Sequence, residues 1–73
     1  MANTVDARGL SCPQPVLMTL DEIKKDAADE IIVLVDNEAS KENVSRAAMS
    51  RGWTVDGVAE EGLVFTITMR KGS

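Results

Sequence analysis

Apolar and polar positions alternate along this chain in two different periods, and the switches between them mark out the elements. Glu30-Ile31-Ile32-Val33-Leu34-Val35-Asp36 is an unbroken apolar run, largely β-branched and bounded by acids. It is too short for a buried helix and predicts a central strand covered on at least one face. Upstream, Val5 and Ala7 alternate against Asp6, giving a first strand over Thr4 to Ala7 before Arg8 and Gly9 turn the chain. Pro13 to Lys25 reads as a helix. Its apolar stripe is Val16, Leu17, Leu20, Ile23 and Ala27, and Asp21, Glu22, Lys24 and Lys25 take the wet side. Asn37 to Ser40 reads as a turn, with Ser40 as N-cap of a second helix over Lys41 to Arg51. Val44, Ala47 and Ala48 give that helix a narrow apolar face, and Gly52 is a natural stop.

The last third returns to period two. Trp53 to Val58 and Leu63 to Met69 read as strands joined by a turn around Glu60-Glu61-Gly62. In the second of them Leu63, Phe65, Ile67 and Met69 alternate with more polar positions, so one face should be buried. Met18, Met49 and Met69 are expected to fill the core, and Trp53 to pack against the sheet. Lys71-Gly72-Ser73 should fray. The element order is β-α-β-α-β-β. It predicts an α/β two-layer sandwich: a four-stranded mixed sheet with two helices on one face, the first two strands forming a parallel unit.

Seventy-three residues make one domain spanning 1-73. A chain this small buries about 60% of its unfolded surface, so a carrier, binding module or subunit fits better than a self-sufficient enzyme. The net charge of −4 and the absence of a basic stripe with interleaved aromatics argue against direct nucleic-acid binding. No basic-then-apolar leader opens the sequence and no stretch approaches membrane-spanning length, so no membrane partner is expected. One cysteine cannot form an internal disulfide, which points to the cytoplasm. With no histidine and one cysteine there is no metal-ligand set and no call for a cofactor. Asp36-Asn37-Glu38 resembles part of a metal loop but has too few oxygen ligands in register, and reads as a strand-to-helix turn.

The chemistry concentrates in Gly9-Leu10-Ser11-Cys12-Pro13-Gln14-Pro15. A lone cysteine is often a small buried hydrophobe. Here two prolines, tolerated only in a helix's first turn, put Cys12 at a helix N-terminus. With Pro13 as the first helical residue, Cys12 is the N-cap. The amides of Gln14 and Val16 are then free to face its sulfur, and the macrodipole favours the anion. A thiolate so held is both nucleophile and leaving group in sulfur exchange. Arg8 could add positive charge if the turn folds it back, and Gly9 permits the turn.

Val5 to Val16, with its Cys-Pro-x-Pro motif, resembles the signature of the TusA/SirA-like sulfur-carrier family, and the likeness covers nearly the whole chain. Val35 to Arg46 is similar to the YedF-type branch, which is associated with selenium metabolism and often precedes a DsrE-like domain. The resemblance implies that Cys12 accepts sulfane sulfur as a persulfide and relays it. It also implies a cysteine desulfurase or rhodanese-like donor and an acceptor protein of DsrE-like or other type. Thiolation of tRNA uridine is one implied destination. Arg8, Gly9, Pro13, Gln14 and Pro15 would shape the loop and meet the partner. Position 14 is often glutamate in the family and is Gln14 here. The rival reading is a protein-binding or regulatory module whose cysteine is incidental.

Overall fold

A computed structural model describes residues 2–10, 13–25 and 29–72. Its order is β1 (Ala2–Asp6), α1 (Gln14–Lys25), β2 (Glu30–Val35), α2 (Glu38–Ser50), β3 (Trp53–Glu61) and β4 (Val64–Lys71). The sheet runs β1-β2-β4-β3: β1 is parallel to β2, and the other two pairings are antiparallel. This is the mixed four-stranded sheet that the sequence predicts, with the apolar run at its centre.

Residues opposite one another explain the core. Val5, Val33 and Ile67 share one cross-strand row, and Ile31 pairs with Met69 in the next. All five are buried. On β2 the alternate residues Glu30, Ile32 and Leu34 are only half-buried, so the two helices cover one face of the sheet. Trp53 is buried in the same core.

Both helices differ from the sequence expectation in register. Helix α2 starts at Glu38, and its N-cap is Asn37 rather than Ser40. Asn37 has extended backbone, and its side-chain oxygen accepts the Ser40 amide at 2.7 Å. An asparagine placed this way satisfies an amide that the helix itself cannot. Ser40 moves inside the helix and is buried with Val44 and Ala48, one turn apart, while Ala47 is half-buried. Gly52, with φ of +82°, stops the helix as expected, its amide donating to the Met49 carbonyl.

In α1 the buried stripe is Pro15 and Thr19, flanked by half-buried Val16, Met18 and Ile23. Leu17 is turned out and 50% exposed. Thr19 can sit there because its hydroxyl donates to the Pro15 carbonyl at 2.8 Å, so no polar group is stranded. Glu22 is likewise drawn off the wet side: it is half-buried and accepts from the Asn3 side chain at 3.0 Å. Ala27, expected on the stripe, lies outside the described residues.

Smaller corrections follow from pairing. β1 begins two residues early because Ala2 pairs with Glu30. The β3–β4 hairpin is longer than expected. Glu61 pairs with Val64, leaving Gly62-Leu63 as the turn and Leu63 84% exposed rather than core-facing. A bulge between Val55 and Gly57 inserts Asp56 and breaks the two-residue period of β3. Met49 is exposed, while Met69 is core. Lys71 does not fray: its amide donates to the Asp29 carbonyl at 2.8 Å.

Candidate functional site

The motif occupies the connection between β1 and α1. Ala7 leaves the strand with its amide still bonded to the Leu34 carbonyl at 2.9 Å. Arg8 and Gly9 make an exposed turn, and the Leu10 amide reaches back to the Ala7 carbonyl at 3.4 Å. Gly9 has φ of +76°, a left-handed backbone that costs other residues about 1–2 kcal/mol. Cys12, with Ser11, lies outside the described residues.

On the far side the helix opens one residue later than expected. The Leu17 amide donates to the Pro13 carbonyl at 3.0 Å, which makes Pro13 the capping position and Gln14 the first helical residue. The shift adds a donor, because the amide four residues past a cap donates to the cap's carbonyl: a cap at 12 would take up Val16, whereas the cap at Pro13 takes up Leu17. Pro13 and Pro15 carry no N–H, and the amides of Gln14 and Val16 have no intrahelical acceptor. No acid lies in the first turn, and Lys24 and Lys25 lie in the last. The positive end of the macrodipole is therefore not offset by the helix's own carboxylates. Pro13 and Gln14 are exposed, and Pro15 is buried, so the turn is held from beneath and open above.

Arg8 is engaged with its own strand. Its guanidinium grips Asp6 in a bidentate pair, Nε to Oδ1 at 2.9 Å and Nη2 to Oδ2 at 2.8 Å, and its amide adds a third bond to Oδ1. The Arg8 side-chain hydrogen bond, aided by that amide, holds the Asp6 carboxyl at about 2. The Asp6 hydrogen bond, then its charge, keeps Arg8 more firmly protonated, with a smaller contribution from the charge of Asp36. The positive charge that Arg8 brings to the turn is thus offset by Asp6 two residues away.

Three participants escape a sequence reading. Asp36 Oδ2 accepts the Gly9 amide at 2.6 Å across 27 positions of sequence. Asp36-Asn37-Glu38 is a strand-to-helix turn, and it also ties the motif's turn to α2. Asp6 holds Arg8; because neighbours two apart on an extended chain share a face, this pair was open to detection. Leu17 is the third. It lines an open groove with Leu20, Asp21, Ile23, Lys24 and Arg51, one helical turn beyond Pro13.

The sequence matches the family model described as Sulfurtransferase TusA over residues 3–71. The fold is similar to the crystal structure of a SirA-like protein from Desulfitobacterium hafniense, with a TM-score of 0.83 and 28% identity over 100% of both chains.

Proposed function

Because the chain belongs to the TusA sulfurtransferase family, we propose that it is a sulfur carrier that takes sulfane sulfur as a persulfide on Cys12 and relays it to an acceptor protein. The observation carrying this reading is the family match over residues 3–71, a span that includes the chain's one cysteine. The chemistry balances without a cofactor. The Cys12 thiolate attacks the outer sulfur of a donor persulfide; the donor's S–S bond breaks, and the donor cysteine leaves as a thiolate. Delivery reverses the roles. An acceptor nucleophile takes the outer sulfur, and Cys12 departs as the thiolate.

The first turn of α1 suits both steps, since its amides without an intrahelical acceptor and a dipole not offset by acids of the helix favour an anion at the leaving and attacking positions alike. Pro13 and Pro15 stiffen the turn, Gly9 permits its entry, and exposed Gln14 meets the partner. Arg8 serves the turn's shape through Asp6 rather than supplying net charge. The groove at Leu17 lies where a docked donor or acceptor would rest. No described helix is long and apolar enough to cross a membrane; a reducing cytoplasm suits a lone functional thiol. The stretch from Val35 to Arg46 resembles the YedF-type branch, and on that likeness selenium metabolism joins tRNA thiolation as a proposed destination.

The test is labelled transfer. Wild type and Cys12→Ser are incubated with a cysteine desulfurase, cysteine and labelled sulfur, and separately with a rhodanese-type donor. Covalent label on wild type and none on an equally folded variant is the expected result. Label on the variant, or none on folded wild type from either donor, overturns the carrier and leaves the binding module. A parallel arm gives the desulfurase labelled selenocysteine, so that selenium reaches Cys12 already zero-valent on the donor's cysteine, and reads the branch.

A further inference from the structure

Among the described residues, four backbone amides of the turn that leads toward Cys12 are hydrogen-bonded. Two bond to backbone near the strand end, Ala7 to Leu34 and Leu10 to Ala7, and the Arg8 amide bonds to Asp6 of its own strand at 3.2 Å. The fourth ties the turn to a carboxylate distant in sequence. Asp36, just past β2, accepts the Gly9 amide at 2.6 Å, the shortest of the four. Its other oxygen faces the Asn37 side-chain amide at 3.4 Å, and Asn37 in turn caps α2. One carboxylate therefore joins the left-handed glycine of the motif's turn to the start of the second helix.

We propose that Asp36 is a positioning residue for the thiol: by fixing the Gly9 amide it sets the path on which the backbone reaches Cys12, three residues on. The inference rests on Cys12 being the reactive group. It separates cleanly from a charge effect, because the two have opposite signs. A carboxylate near the turn opposes a thiolate by Coulomb repulsion, whereas a carboxylate that holds the turn in place helps the first-turn amides stabilise it. The charged groups around Asp36 are Arg8, which it attracts, Asp6 paired to that arginine, and its chain neighbour Glu38.

The experiment follows alkylation of the single cysteine against pH in the full chain, for wild type, Asp36→Ala and Asp36→Asn. Asparagine keeps an oxygen that can accept the Gly9 amide and loses the charge; alanine loses both. In D36A the midpoint rises by about half a unit toward the ordinary thiol value of about 8.5, while in D36N it stays at or below that of wild type. Equal downward shifts in both variants would show charge alone, and an unchanged D36A would show no role; either overturns the proposal. Should D36A not fold, Asp36→Glu replaces it: the charge is kept and the oxygen displaced by a methylene, so a raised midpoint supports the proposal and an unchanged one overturns it. A wild-type midpoint already at about 8.5 defeats the activated-thiol reading itself, and the proposal with it.

Discussion

Asn37→Ala probes the junction on which both the second helix and the motif's anchor depend. The side-chain oxygen of Asn37 satisfies the Ser40 amide at 2.7 Å, from a backbone already in the extended capping geometry. Removing such a cap costs about 1 kcal/mol, within a range of about 0.5–2. For a domain of this size the unfolding entropy turns about 1 kcal/mol into a fall in Tm of about 6 °C. Asn37→Gly keeps the permitted backbone and should lose only a few tenths of a kcal/mol. Ser40→Ala is the sharper control, because composition alone makes Ser40 an equally good cap. In the structure Ser40 is a buried third residue of α2 and the cap is Asn37, so the alanine variant should melt above N37A. Circular dichroism melts and urea titrations read all three, with the urea slope unchanged if the native state stays compact. An N37A melt equal to wild type beside a lowered Ser40→Ala melt would refute the assignment of the cap.

Two further outcomes test the core and the turn. Ile67→Ala, at the centre of the row it shares with Val33, should cost about 2–5 kcal/mol, and Ile67→Val about 0.5–1.5; equal melts for the two would show that the row is not packed as described. Asp6 has its carboxyl lowered from 3.8 to about 2 by Arg8, so the stability it lends is complete above about 3.8 and disappears as pH falls through about 2. The Tm difference between wild type and Asp6→Asn should accordingly shrink across that window, and a difference constant from pH 5 down to 2 would contradict the pairing.

The parts of this molecule that a reader could take from the sequence are those where one local period decides the outcome. The β-branched run at Ile31 to Val35 has a single reading, and so does the stop at Gly52. The alternation of Ile67 and Met69 survives because β4 is regular through those positions. The misreadings arise where a second interaction overrides the period. Thr19 is polar, yet it occupies the buried stripe because its own helix supplies the acceptor, and that rotates Leu17 outward. The extra residue at Asp56 resets β3, so Val58 comes to face Ile67. Asn37 and Ser40 are both capping types, and only backbone geometry chooses between them. At the candidate site the prolines fixed the start of α1 to within one residue. The Asp36–Gly9 bond had no local signal, since its partners are far apart in sequence and meet only when β1 pairs with β2.

The bulge in β3 has a second consequence, outside the core altogether. As the last strand of the sheet, β3 leaves one row of amides and carbonyls without a neighbouring strand over its nine residues. Such a row is a template on which another chain can polymerise. Asp56 interrupts its spacing, and Glu60 and Glu61 put two like charges where an incoming copy would have to lie. Resistance to strand-on-strand aggregation therefore draws on three exposed acids outside the core, of which Asp56 also pairs with Arg70 at 3.3 Å. Replacing them with apolar residues of high β propensity would leave the fold's interior untouched while opening its edge.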